Sequence, residues 1–175
     1  MDGECNNLPR NLRLITDAAT NTETGESGAG LVLLNEGRKL ILAGSSYPGD
    51  TPSVSIAEAL AIRTTLEHCH PYYKRIKIYS NVETVIKGFH SPQMCDYSIE
   101  PIMLDILNLT YDLNQNHFHF VPREEVVLAH NLAKRALMSD LDCIWSDPIP
   151  YPFFLLPINV TLRFDHWNTS NGLVN

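Results

Sequence analysis

An α/β (mixed α+β) fold, one sheet with helices on its faces, is what the sequence predicts. Two observations predict it. Three β-type runs joined by short connections come first, and amphipathic helical segments then alternate with two further β runs. The resulting order, β-β-β-α-β-α-α-β-α, joins a hairpin meander to crossover connections, so the sheet contains both antiparallel and parallel pairs. A length of 175 residues suits one domain with a single sizeable core.

Each element has its own local cause. Residues 1–11 read as a polar leader, and 12–17 (LRLITD) alternate as a first strand. A polar, Gly-containing stretch follows at Asn21–Gly28, then an apolar β run at 29–35 (AGLVLLN). Glu36-Gly37 supplies a hairpin-type turn into 39–46 (KLILAGSS), after which Pro48 and Pro52 interrupt the chain. Residues 55–69 (SIAEALAIRTTLEHC) are rich in good helix formers, and Ser55-Ile-Ala-Glu58 matches a capping box. Pro71 ends that helix, a strand follows at 75–79 (RIKIY), and a short helix covers about 82–89. Ile99, Ile102, Met103, Ile106, Leu109 and Leu113 make a helical stripe over 99–113. Residues 117–121 (HFHFV) alternate as a strand. The last helix, 124–138, has acids in its first turn and Lys134 and Arg135 toward its end, as the helix dipole favours. Beyond about Ser139 the periodicity is lost, and four prolines within 147–157 mark 139–175 as an irregular tail. Its Phe153-Phe154-Leu155-Leu156 run can pack on the domain or meet a protein partner.

Charge narrows the function classes. Thirteen basic and twenty acidic residues give −7, the wrong sign for a general nucleic-acid binder. The balance is −3 over residues 1–30, +2 over 31–95 and −6 over 96–175. Contact with nucleic acid is therefore expected in the middle segment, around Lys74, Arg75, Lys77 and Lys87, and is expected to be weak and salt-sensitive. The four cysteines are far apart and have no zinc-type spacing, as free thiols of a reducing compartment would. No secretory leader and no membrane-spanning apolar run is read, so a nuclear or cytoplasmic protein without a membrane partner is expected. Asn108-Leu-Thr110, Asn159-Val-Thr161 and Asn168-Thr-Ser170 are then chance matches to the glycosylation pattern.

Two acids stand out by position. Asp17 ends the first strand among small neighbours, and Glu58 lies in the first turn of the first helix. A carboxylate at a strand end and another on a helix packed over that sheet can meet and hold a hard divalent cation such as Mg²⁺. Each also has a plain structural role open to it, Asp17 opening a turn and Glu58 completing the capping box.

The segments Ile15-Thr-Asp17-Ala-Ala, Gly28-Ala-Gly30-Leu-Val, Ser55-Ile-Ala-Glu58-Ala-Leu-Ala61, Ile78-Tyr-Ser-Asn81-Val-Glu-Thr-Val85, Phe120-Val-Pro-Arg123 and Ala129-His130-Asn-Leu-Ala-Lys134 occur in this order. Together they resemble the plant ribonuclease H-like family, the type-1 ribonuclease H domains of plant retroelement reverse transcriptases and of host proteins derived from them. The resemblance covers residues 12–138. It implies a five-stranded mixed sheet, three antiparallel strands then two parallel, flanked by helices. It also implies Mg²⁺-dependent, two-metal hydrolysis of the RNA strand of RNA–DNA hybrids, with Mn²⁺ as a substitute cation. The family's first catalytic Asp falls on Asp17 and its Glu on Glu58, the expected metal ligands. Its third acid falls on Asn81, and its auxiliary Asp or His on His130. Ala18 stands where a Gly is usual, and Val126 where an Asn is usual.

Asn81 replaces an anionic ligand by a neutral amide. Two-metal hydrolysis relies on carboxylates to offset two divalent ions, so this change is expected to cost orders of magnitude in rate. Glu83, two residues on at a helix start, is not expected to replace it. The alternative is a catalytically inactive domain of the same fold that binds nucleic acid or protein. An exonuclease of related fold is disfavoured, because Asp17-Ala-Ala19 lacks the Asp-x-Glu pair of such sites.

Overall fold

The computed structural model describes residues 11–69, 75–111, 117–139 and 142–146. Its strands are β1 (Leu12–Thr20), β2 (Glu26–Leu34), β3 (Leu40–Asp50), β4 (Ile76–Ser80), β5 (Phe118–Phe120) and β6 (Cys143–Ser146). The helices are α1 (Val54–Cys69), α2 (Glu83–His90), α3 (Glu100–Leu109) and α4 (Val127–Ser139). They form one mixed sheet in the order β5-β4-β1-β2-β3-β6. The β1–β2, β2–β3 and β3–β6 pairs are antiparallel, and β1–β4 and β4–β5 are parallel. The mixed fold is as expected, with six strands rather than five.

Strand alternation divides the core between the two sheet faces. Leu12, Leu14, Leu31, Leu33, Ile76 and Ile78 pack with Ile62 and Leu66 of α1 and with residues of α2 and α3. Ile15, Val32, Leu34 and Ala43 pack on the other face with Ala129 and Leu132 of α4. Each such side chain fully removed from water contributes roughly 1.5–3 kcal/mol. Phe118 is buried and stacks on Phe89, ring centroids 4.0 Å apart, which fixes α2 over β5.

Several expected boundaries move. β2 starts at Glu26, inside the stretch read as a polar connection, because Ser27 and Gly28 continue the ladder to Thr20 and Ala19. In the β2–β3 turn the left-handed residue is Arg38, at φ 60°, not Gly37. α1 begins before Ser55, and its cap is Ser53, whose Oγ accepts the Ile56 N–H at 3.3 Å. The capping box is thus absent, and Glu58 serves elsewhere. α3 ends at Leu109, short of the predicted 113, and residues 112 and 113 lie outside the described residues. Glu124 and Glu125 form a 3₁₀ turn with Arg123 ahead of α4 rather than its first turn.

The largest correction concerns the region read as an irregular tail, where β6 pairs with β3 from Leu42↔Ser146 to Ser45↔Cys143. Asp142 anchors its start by accepting hydrogen bonds from Ser46 Oγ (3.0 Å) and Tyr47 N–H (2.6 Å). The Phe153–Leu156 run lies outside the described residues. Cys69, Cys95 and Cys143 are free thiols, and no helix among the described residues is long and apolar enough to cross a membrane.

Candidate active site

Asp17 sits near the end of β1 on the face covered by α4, two residues after Ile15 in the same alternation. Its partner across β2 is Gly30, and that glycine lets α4 come close. A Cβ on Gly30 would lie 1.8 Å from the Ala129 carbonyl oxygen, and one on Gly28 would lie 2.1 Å from that of Ala133. Because the helix backbone rests directly on β2, His130 reaches the sheet, and its Nδ1 lies 2.7 Å from Asp17 Oδ2. His130 is therefore not a helix-surface imidazole. It is joined to the strand-end carboxylate.

Glu58 arrives from the opposite face. Ala57 and Ala61 of α1 pack on Ala18 and Ala29, a contact of four small residues that brings the helix close to the sheet. Glu58 Oε2 accepts the Ala18 N–H at 3.2 Å, next to Asp17 in the chain. Asp17 is 3% exposed and Glu58 7%. Burial is the largest influence on both. It pushes Glu58 up to about 9, helped by the Asp17 charge and opposed by the Ala18 N–H and by Arg123. Burial also raises Asp17, against the charge and hydrogen bond of His130, the Ala18 N–H and Arg123. Two acids that share so little water favour a cation between them.

Asn81 follows β4. The parallel β1–β4 register runs from Leu12↔Ile76 to Ile15↔Tyr79. Asn81 lies one residue beyond the end of β4, two residues after Tyr79, whose register partner is Ile15. The Asn81 side-chain oxygen is buried and has no hydrogen-bond partner among the described residues. A buried carbonyl oxygen without a donor is a site for a cation or a ligand proton. The donor set of two carboxylates and an amide oxygen is hard and suits Mg²⁺ or Mn²⁺. Among the described residues, however, no group of three His, Cys, Asp or Glu side chains is arranged to hold a metal ion. Glu83 does not supply the missing acid, because it is turned to Lys87 at 2.8 Å.

The basic cluster is not brought to these acids. Lys74 lies outside the described residues, while Arg75 and Lys77 are exposed at the start of β4. Six residues of extended chain, roughly 20 Å, separate Arg75 from Asn81. Lys87 is exposed on α2 and paired with Glu83. Sequence reasoning passed over a different cation. Arg123 in the 3₁₀ turn lies close enough for its charge to lower both Asp17 and Glu58. In the sequence it stands in the Phe120-Val-Pro-Arg123 segment that carries the family resemblance, with no role assigned to it there.

The model of a family described as reverse transcriptase-like matches residues 15–136. Comparison with curated protein sequences gives no match. Among solved structures, LC11-RNase H1, isolated from compost by a metagenomic approach, is similar with a TM-score of 0.66 at 19% identity, over 75% of this chain and 98% of that one. The same protein in complex with RNA/DNA hybrid gives 0.65 at 19% identity, over 74% and 98%. The foamy viral protease–reverse transcriptase in complex with RNA/DNA hybrid gives 0.54 at 16% identity, over 71% of this chain and 19% of that one. These similarities establish a ribonuclease H-like fold.

Proposed function

This chain belongs to the reverse transcriptase-like family, and from that footing we propose that it is a ribonuclease H-type domain acting on the RNA strand of RNA–DNA hybrids. One observation carries the reading: Asp17 of β1, Glu58 of α1 and His130 of α4 come together from three separate elements, His130 bonded to Asp17 and Glu58 to the Ala18 N–H next to it. Asp17 and Glu58 would hold a divalent cation, Mg²⁺ or Mn²⁺, with the Asn81 oxygen as a neutral third donor. When bound, such an ion activates a water and stabilises the leaving oxygen of a phosphodiester. His130, hydrogen-bonded to Asp17, is positioned to hold or pass a proton at its ring nitrogens. The hybrid-bound neighbours support RNA–DNA hybrid as the ligand class, and Arg75, Lys77 and Lys87 are outlying phosphate contacts of a weak grip. We further read the domain, residues 12–138 together with the added strand β6, as a plant, retroelement-derived member working in a reducing compartment, with the segment after β6 left for a protein partner.

Cleavage of an end-labelled RNA–DNA hybrid at low salt, in Mg²⁺ and then in Mn²⁺, tests the reading. The unmodified chain is expected to cut, slowly, and Asp17→Asn to lose at least a hundredfold in rate, the scale of removing a key electrostatic group. Asn81 favours one other reading, a binding domain without catalysis. Hybrid bound but left intact in both cations would select it.

A further inference from the structure

We propose that α3 and the groove beside it form a docking surface for a basic amphipathic helix of another protein. The proposal stands apart from the ribonuclease reading and starts from a helix with two apolar stripes. Met103 and Ile106, with Ile99 just ahead of them, bury one stripe in the core. Leu104, Leu107 and Tyr111 make the second, at the i, i+3, i+7 spacing of one helix face. That second stripe is open to water: Leu104 is 55% exposed, Leu107 43% and Tyr111 85%. A groove of about 360 Å³ runs beside it, lined by Leu104, Leu107 and the 89% exposed Tyr97, with Phe89, Cys95 and Met103 beneath. Gly88 keeps α2 close there, since a Cβ on it would lie 2.9 Å from Met103 Cε. The Cys95 thiol donates to Met103 Sδ at 3.0 Å, and polarizable sulfur of this kind adapts to varied apolar side chains. Four large apolar side chains exposed around one groove mark an interaction surface, where the same residues scattered singly would not.

Charge selects the occupant. Residues 91–111 hold Asp96, Glu100 and Asp105 and no Lys, Arg or His. All three acids are exposed, and Glu100 lines the groove itself. Cations on the flanking helices are engaged: Arg63 of α1 holds Asp105 at 3.2 Å and Glu67 at 3.6 Å, and Lys87 of α2 holds Glu83 at 2.8 Å. An acidic rim repels a nucleic-acid strand. It also disfavours a second copy docked by the same face, which would set acids against acids. The chain's own residues 147–175 carry Arg163 against Asp147 and Asp165, too little positive charge to match the rim. A separate segment with apolar anchors on one face and Lys or Arg on its flanks meets both the stripe and the rim. The stripe from Leu104 to Tyr111 is about 10 Å long, two turns of such a helix.

The probe is a fluorescently labelled synthetic helix with Leu and Phe at i, i+3, i+4 and i+7 and Lys elsewhere, titrated with the full chain. A counterpart peptide carries Glu in place of Lys. The Lys peptide is expected to bind at least about tenfold tighter than the Glu peptide. Leu104→Asp is expected to weaken its binding about tenfold, although that variant is the more acidic chain. Glu100→Lys is expected to weaken the Lys peptide and to tighten the Glu peptide. Both side chains are exposed, so both variants should melt as the unmodified chain does. Equal binding by Leu104→Asp would overturn the proposal, leaving only attraction to a chain of net −7. So would a dimer of the unmodified chain that Leu104→Asp dissolves, which would place a second copy in the groove. Tighter peptide binding by Phe153→Asp would overturn it as well, because the chain's own later segment would then be the occupant.

Discussion

Glu58 is under strong electrostatic stress. Buried beside Asp17, its carboxyl is held up at about 9 against an ordinary 4.5. In cation-free buffer the protonated form therefore contributes stability that is full below about 4.5 and is lost as the pH climbs toward 9. Glu58→Gln, which mimics that form, is expected to melt several degrees above the unmodified chain at alkaline pH in EDTA, the gap closing as the pH falls toward 5. Melting curves that coincide at both pH values would contradict the burial argument. A sequence can nominate Glu58 by its place in a helix, but Ser55-Ile-Ala-Glu58 also spells a capping box, and only the Ser53 cap decides between them. Arg123 was less legible still. It stands in a segment that carries the family resemblance, but where its turn sits depends on the long-range Val121–Ser80 hydrogen bond.

Elements with a regular hydrophobic period were readable, and those made by distant pairing were not. β1, β3, β4 and the four helices follow from alternation or from a 3.6-residue stripe, within a few residues at their ends. β6 has no such mark. Cys143–Ser146 lies near a run of prolines and becomes a strand because Asp142 bonds to β3 and the edge of β3 is open. The start of β2 was obscured for another reason: Glu26, Ser27 and Gly28 look like a turn by composition. Gly28 and Gly30 are in a strand because α4 leaves no room for a Cβ. Gly30→Ala would drive that atom into the backbone of Ala129, which no side-chain rotation relieves. The expected cost is about 3 kcal/mol, read from the urea midpoint, together with loss of the His130–Asp17 contact. A variant as stable as the unmodified chain would show that α4 is not seated on Gly30.

For the whole molecule, overall acidity and the proposed nucleic-acid ligand are reconciled by where the charges sit. The negative excess sits at both ends, −3 over residues 1–30 and −6 over 96–175, against +2 between them, so the grip on a polyanion is expected to be weak and to fade with salt. Family membership and the ribonuclease H-like fold account for the element order, while the proposed activity turns most on Asn81. The most direct measurement is the rate of hybrid cleavage by Asn81→Asp beside the unmodified chain, in Mg²⁺ under identical conditions. If Asn81 stands in the third ligand position of the site that Asp17 and Glu58 begin, the aspartate should raise the rate at least a hundredfold. A rate that stays level or falls would contradict that placement.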